Sequence, residues 1–154
     1  MKISTIMNRQ VAKTGPGESF AKVLAAMQAM PSRLLHVVDA DDRLMGIISS
    51  YDVLKVMMPF YLDSNLAKAV TDDENFVRRL LADNAHLTAA DIMAVDIITL
   101  HEDSHLLEAE ALIKEKAVNA LPVLDEQGHV VGEVTRQAIL SQFIELCAPA
   151  SSEQ

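Results

Sequence analysis

The apolar positions of the chain follow helical and extended spacing in one order, and that order occurs twice. A short extended piece, Val11 to Thr14, stops at a Gly-Pro-Gly sequence. Four apolar residues then have the spacing of an amphipathic helix: Phe20, Val23, Leu24 and Met27. Two apolar runs around an aspartate-rich turn, Leu35 to Val38 and Leu44 to Ile48, predict two strands. Ser49 is a suitable N-cap for the helix that follows, which a proline ends or bends.

The second half of the chain repeats these elements. A short strand is predicted at Ile97 to Leu100 and a helix from Ser104 to Lys116. Two more strands, Ala120 to Leu124 and Val130 to Val134, enclose a turn, and a last helix begins at Thr135. The predicted fold class is therefore α/β (α+β), with two βαββα units.

A duplication accounts for this order. The stretch from Leu35 to Leu54 returns 86 residues later as Leu121 to Leu140, and the match extends over 50 positions without a gap. A repeat this long, present twice, is typical of two homologous half-units packed together. Eight pairs are identical: Ile6/Ile92, Met7/Met93, Ala25/Ala111, Leu35/Leu121, Val37/Val123, Asp39/Asp125, Gly46/Gly132 and Leu54/Leu140.

The repeat divides the sequence into four parts. Residues 1–59 form the first unit, residues 60–87 a helical insertion, residues 88–148 the second unit, and residues 149–154 a polar tail. The insertion contains a capping box at Thr71 to Glu74, followed by one apolar helical face. Because such a face has to pack on something, we expect the insertion to be structured. The residues of that face are Phe76, Val77, Leu80 and Leu81.

Composition limits the classes of function. The chain has 13 basic and 22 acidic residues and a net charge of −9, which disfavours nucleic acid and anionic membranes as partners. The sequence starts without the apolar segment of a signal peptide, and its longest apolar run is too short to cross a bilayer, so we expect a cytoplasmic protein. Cys147 stands alone, and we expect it to be a small buried residue.

Two motifs in the repeat resemble those of the cystathionine-β-synthase (CBS) domain. The first unit has Leu35-His36-Val37-Val38-Asp39 and then Gly46-Ile47-Ile48-Ser49-Ser50-Tyr51-Asp52. The second unit has Leu121-Pro122-Val123-Leu124-Asp125 and then Gly132-Glu133-Val134-Thr135. Two such units form a Bateman module. The resemblance implies two CBS units in a pseudo-two-fold arrangement, separated here by the helical insertion.

The resemblance also implies a function. CBS pairs are regulatory modules that bind adenosine-containing ligands such as AMP, ADP, ATP or S-adenosylmethionine in the clefts between their units, and they signal to a partner. The expectation is therefore a sensor that has no catalytic cofactor and acts on a separate, unidentified target protein. No catalytic motif is present in the sequence, so we do not expect an enzyme. A nucleotide-independent dimeric scaffold is the alternative.

The nucleotide-binding residues implied by the resemblance lie mainly in the first unit. Asp52 would accept hydrogen bonds from the ribose hydroxyls, and Ser49 would cap the helix beside the ligand. Arg33 matches a position from which a basic residue reaches phosphate. Each has a simpler interpretation: Asp52 as a first-turn carboxylate favoured by the helix dipole, and Arg33 as a surface residue.

Two further parts of the chain belong to this predicted site. His36 replaces the proline of the motif and either touches the ligand or is a buried histidine bonded to backbone. The backbone from Ile97 to Thr99 is expected to contact the base across the cleft.

The second unit lacks most of these groups. Ala138 replaces Asp52 and Asn119 replaces Arg33, so only Thr135 remains, as a helix cap. The second cleft is therefore expected to be empty or to hold a different ligand. A metal site at His101 and His105 is not expected, because their spacing straddles a strand end and a helix start.

The last helix has more apolar surface than one core requires. The apolar residues that cover much of its circumference are Ile139, Leu140, Phe143, Ile144, Leu146 and Cys147. On its counterpart in the first unit they are Val53, Met57 and Met58. Surplus apolar surface of this kind indicates a partner chain. The sequence therefore predicts a homodimer formed through the C-terminal helices of both units.

Overall fold

The structure of the protein is a computed structural model that describes residues 1–69 and 74–148. It has a mixed α/β fold with two three-stranded sheets, and it divides into two compact units. The first-repeat unit consists of Ala12–Ile97. The second-repeat unit combines Met1–Val11 with the chain from Ile98 onward. The α/β fold predicted from the sequence is confirmed.

In its described residues, 12–69 and 74–97, the first-repeat unit contains three strands and five helices. In chain order they are β1 (Ala12–Thr14), α1 (Phe20–Gln28), β2 (Leu35–Val38), β3 (Leu44–Ile48), α2 (Ser50–Met57), α3 (Ser64–Ala69), α4 (Glu74–Asn84) and α5 (Ala89–Ile92). The sheet order is β1-β2-β3, with β1 parallel and β3 antiparallel to β2. One face of α1 packs on this sheet because its apolar residues are three and four positions apart. The core residues are Phe20, Val23, Met27, Leu35, Val37, Ile48, Ala89 and Ile92.

The second-repeat unit has the same plan. A 3-10 turn (Ile3–Thr5) precedes β4 (Leu100–His101), α6 (Leu106–Lys116), β5 (Ala120–Leu124), β6 (Val130–Thr135) and α7 (Arg136–Cys147). The sheet order is β4-β5-β6, with the same parallel and antiparallel pairings. Its core residues are Ile3, Met7, Leu100, Leu106, Ala109, Ile113, Leu121, Val123, Val134 and Ile139.

The segment that leads into each repeat packs in the unit of the other repeat. Asn8 pairs with Glu133 on β6 through two backbone hydrogen bonds of 2.8 and 2.9 Å. In the first-repeat unit, Ala94 pairs with Ile47 on β3 through bonds of 2.8 and 3.0 Å. The compact units therefore differ from the sequence units 1–59 and 88–148 by an exchange of these segments.

The described part of the insertion contributes two helices to the first-repeat unit. The predicted helix is present as α4 and contacts α2, whereas α3 was not predicted. Phe76, Leu80 and Asn84 are half-buried at four-residue spacing on α4, and Val77 and Leu81 are exposed. The residues Thr71 to Asp73 of the predicted capping box, and the tail from residue 149, lie outside the described residues.

The C-terminal helix differs from expectation at one residue. Cys147 is exposed, so the prediction of a buried cysteine is wrong. The physical reason is that α7 packs on the core through a narrow stripe that contains Ile139 and Phe143, while the last turn, from Ile144 to Cys147, extends past it and is exposed. Most of the apolar residues that we counted on α7 lie outside that stripe.

Candidate functional site

The junction between β3 and α2 holds Ser49 and Asp52 in a reciprocal hydrogen-bonded arrangement. Ser49 has extended backbone angles, and its side chain accepts a hydrogen bond from Asp52 N at 3.4 Å. Asp52 Oδ2 accepts hydrogen bonds from Ser49 N and Ser49 Oγ, both at 2.8 Å. Asp52 is half-buried, and among the described residues no hydrogen bond reaches its Oδ1. One carboxylate oxygen therefore remains available.

The same arrangement occurs at α5, where the simpler interpretation suffices. Asp91 Oδ2 accepts hydrogen bonds from Thr88 N at 2.8 Å and from Thr88 Oγ1 at 3.0 Å. Both bonds favour the ionised form of Asp91 and so lower its pKa. The bond from the Thr88 backbone has the larger effect, and the bond from the Thr88 hydroxyl has the smaller one. Asp91 is exposed, unlike Asp52. The capping-box geometry alone therefore does not identify a binding site, and Asp91 is a natural control for Asp52.

The counterpart junction in the second-repeat unit is closed. Thr135 Oγ1 accepts a hydrogen bond from Ala138 N at 3.0 Å, but Ala138 has no carboxylate to offer. The N–H group of Arg136, at the first helical position of α7, donates to Asn119 O at 2.8 Å. At the equivalent position of α2, Ser50 N–H makes no such bond among the described residues. The two junctions therefore differ in both acceptor and donor capacity.

Arg33 is engaged by its own neighbourhood. Its backbone is left-handed, with a φ of 54°. Its Nη1 atom donates to Met27 O at 3.3 Å, to Met30 O at 3.2 Å and also to Gln28 O. These carbonyls end α1, where a cation compensates the negative end of the helix dipole. Arg33 also lines a cavity of about 320 Å³ between α1 and α2, whose lining includes Ser50 but neither Ser49 nor Asp52.

His36 is fully buried in β2. Its Nδ1 lies 3.1 Å from Ala12 O, an acceptor, so Nδ1 carries the proton. Burial lowers the pKa of His36 to about 4; the bond to Ala12 opposes this shift, and the charge of Lys13 adds to it. His36 is therefore neutral at pH 7. The proline predicted at this place in the motif is present in the other repeat as the buried Pro122.

The remaining predicted residues fall in different units. Ile97 is half-buried and ends the first-repeat unit, whereas Thr99, also half-buried, belongs to the second-repeat unit. Ser49, Asp52, Arg33 and His36 all lie in the first-repeat unit. The contribution of Ile97 and Thr99 to a ligand site stays a prediction.

An apolar groove lies between α1 and α2 in the first-repeat unit, and another lies between α6 and α7 in the second-repeat unit. The groove between α6 and α7 has a volume of about 690 Å³, and its floor includes Ile113, Ile139 and Phe143. Apolar side chains border both grooves: Leu140 is 58% exposed, and its repeat counterpart Leu54 is 67% exposed. The apolar spacing of the helices predicted this surface, but sequence reasoning missed its concave shape and the charged residues at its rim.

Metal and membrane sites have no support in the part of the chain that the structure describes. No group of three or more His, Cys, Asp or Glu side chains is placed to hold a metal ion within residues 1–69 and 74–148. In the same residues, no helix combines the length and the apolar character needed to span a bilayer.

Comparison with known proteins gives a consistent family. The CBS domain family matches residues 3–59 and 89–145. A CBS domain-containing protein of Dictyostelium discoideum is 28% identical over 148 residues, which cover 96% of this chain and 94% of that protein. The chain also matches an inosine-5'-monophosphate dehydrogenase of Methanocaldococcus jannaschii at 25% identity, where 92% of this chain covers 23% of the enzyme.

Solved structures share the fold. The CBS-pair protein CBSX2 of Arabidopsis thaliana is 19% identical with a TM-score of 0.75, and the match covers 97% of this chain and 98% of that one. CBSX2 has also been solved in complex with AMP, where the TM-score is 0.69 at 20% identity with 96% and 98% coverage. Another CBS domain pair was solved with 5-methylthioadenosine and S-adenosyl-L-methionine; it has a TM-score of 0.66 at 22% identity with 95% and 98% coverage. The fold, the two matched segments and the duplication agree, and this chain belongs to the CBS domain family, with one CBS domain in each repeat.

Proposed function

We propose that the protein is a cytoplasmic regulatory module that binds one adenosine-containing ligand per chain at the Ser49–Asp52 junction and signals to a separate protein. The observation that carries this proposal is the difference between the two junctions. The first keeps an acceptor at Asp52 Oδ1 and an N–H donor at Ser50, whereas the second has Ala138 and a donor already bonded to Asn119.

The chemistry of the junction fits a ribose. Two adjacent ribose hydroxyls are donors, and an ionised carboxylate with a free oxygen accepts from such a pair. The half-buried position of Asp52 strengthens these bonds, since water competes less there than at the exposed Asp91. Each hydrogen bond to a charged group contributes roughly 1.5–3 kcal/mol. The loss of two such bonds would therefore be enough to abolish binding of a ligand with a micromolar dissociation constant.

The relatives support the ligand class. CBSX2 was solved with AMP, and the other CBS pair with a thioether and a sulfonium derivative of adenosine. These compounds share the adenosyl group and differ at the 5' position. We propose by this analogy that the chain is regulatory and not catalytic, with an adenine nucleotide or a related adenosyl compound as its ligand and an unidentified protein as its target.

Titration calorimetry with AMP tests the proposal. The wild type is expected to bind one AMP per chain. Asp52→Ala should weaken binding by about a hundredfold or more, because two charged hydrogen bonds are lost. Asp91→Ala removes the same capping-box carboxylate at α5 and should leave AMP affinity unchanged. Two equal sites in the wild type, or equal losses in both variants, would contradict the proposal.

A homodimer forms the second part of the proposal. The exposed apolar borders of both helix pairs, including Leu54 and Leu140, favour a second copy as their cover. The groove rim between α6 and α7 carries Glu110 with Lys114 and Arg136, so two copies related by a two-fold axis offer each other opposite charges. The alternative function, a dimeric scaffold that needs no nucleotide, rests on this surface alone.

A further inference from the structure

The cation expected to bind phosphate at the proposed site already has partners. The backbone pairing of Leu35 with Ile48 brings the start of β2 beside Ser49, and Arg33 stands just before that strand. Its guanidinium, however, donates to three carbonyl oxygens at the end of α1. Moving it to a phosphate would break these charge-assisted bonds. Arg33 therefore stabilises the end of α1, and its guanidinium is already engaged there.

Four other cations of the first-repeat unit are paired or belong to positions some way from the junction. In the first-repeat unit Lys13 is bound to Asp42 at 3.1 Å and Lys22 to Glu18 at 3.9 Å. Lys55 lies in the last turn of α2, about 9 Å along the helix axis from Ser49. Arg43 precedes β3, and the strand separates it from Ser49 by about 20 Å.

The charges that remain near the junction disfavour a phosphate. Asp52 is itself anionic, and the chain has a net charge of −9. Like charges a few ångströms apart repel, and the repulsion grows with each phosphate that a nucleotide carries. The open N–H of Ser50 does not require an anion, because a ribose or ether oxygen can also accept its hydrogen bond.

We propose that the site recognises the adenosine part of its ligand and gains no affinity from phosphate, so its ligand is a nucleoside or an adenosyl thioether or sulfonium compound in preference to ATP. This inference rests on the proposed function and names the ligand class of the same site. Recognition depends on Asp52 and the ribose, and the 5' substituent contributes through its charge alone.

Calorimetric titration of the full chain with adenosine, 5-methylthioadenosine, AMP and magnesium-free ATP tests this inference. Adenosine and 5-methylthioadenosine should bind at least as tightly as AMP, and ATP at least about tenfold more weakly than AMP. Raising the salt concentration should narrow the gap between AMP and ATP, because salt screens the repulsion.

The variant Arg33→Gln provides the control for the phosphate argument. The ratio of AMP to adenosine affinity should change by less than about twofold, and this ratio does not depend on how much of the sample is folded. The inference is overturned if AMP binds more than about tenfold tighter than adenosine, whether or not Arg33→Gln removes that margin. If none of the four compounds binds, the proposed function itself fails, so the two failures are distinguishable.

Discussion

The sulfur of Met93 packs directly over Gly46, so that a Cβ atom added at position 46 would stand 2.6 Å from it. Met7 has the same relation to Gly132, at 3.1 Å. These four residues are two of the eight identical pairs in the duplication. Their identity is explained by packing, since a methionine from each lead-in segment fills the space that a missing side chain leaves on a strand.

Gly46→Ala should therefore destabilise the first-repeat unit. The new methyl group would meet Met93 Sδ at 2.6 Å and the Ala94 carbonyl at 3.0 Å, and overpacking of this kind costs about 1–3 kcal/mol. Gly17→Ala is the control, because nothing lies within 4 Å of its Cβ. Urea unfolding measures both, and the double variant Gly46→Ala with Met93→Ala should show a coupling between the sites. Equal stability of the two single variants would contradict the packing argument.

Ala117→Gly should stabilise the protein. Ala117 ends α6 in the left-handed region, with a φ of 53°, where a Cβ atom costs about 1–2 kcal/mol. Glycine loses about 0.5–1 kcal/mol through the entropy of the unfolded chain, so the net gain is about 0.5 kcal/mol. Ala29, which ends α1, has a φ of −71°, and Ala29→Gly should be destabilising. Thermal melting that moved both variants in the same direction would refute this reasoning.

The duplication predicted the strands and helices of each unit better than it predicted which segment packs in which unit. β5 was predicted at both ends, because apolar residues stop sharply at turns on either side. The exchange of lead-in segments was not predictable, because Met7 and Met93 are identical, as are Gly46 and Gly132. The same residues would pack equally well if each lead-in stayed in its own repeat. The sequence pattern therefore cannot tell which unit each lead-in segment joins.

The sequence predicted the parts of the site that depend on residues close together in the chain. The motif correctly placed Ser49 as an N-cap with Asp52 in the first turn, because capping depends on residues three positions apart. The contacts of Arg33 were not predictable, since they follow from a left-handed backbone that arginine rarely adopts. For the same reason, no sequence pattern indicated that the Arg33 guanidinium would bind the carbonyl groups at the C-terminal end of α1.

Protonation of His36 should weaken the fold in mildly acidic solution. Its pKa is about 4 in the folded protein and about 6.5 when unfolded, so the unfolded chain binds the proton first as pH falls. The stability is complete above pH 6.5 and decreases by about 3 kcal/mol as the pH falls towards 4. Urea unfolding at several pH values measures this slope. His36→Leu should lose that part of the slope, and an unchanged slope would show that His36 does not titrate as inferred.

The apolar surface of α7 should hold two copies together. Leu140→Asp places a charge on the exposed border of the groove, where burial of an unpaired carboxylate costs several kcal/mol, and we expect monomers. Val95→Asp changes an apolar residue outside these helices that is even more exposed, and it should leave the assembly intact. Sedimentation velocity at micromolar concentration distinguishes the two. A monomeric wild type would remove the homodimer from the proposal.

The inserted helix α4 should respond to ligand through α2. Asn84 and Met57 meet at 4.0 Å between the amide nitrogen and the sulfur, and α4 buries no residue completely. Such weakly packed helices open easily, so their amide hydrogens exchange fast. A ligand that fixes Asp52 in the first turn of α2 should slow exchange in both helices. Leu80→Ala, which trims the contact side of α4, should abolish this slowing in α4 while preserving it in α2. Slowing that is confined to α2 in the wild type would mean that the insertion does not sense the site.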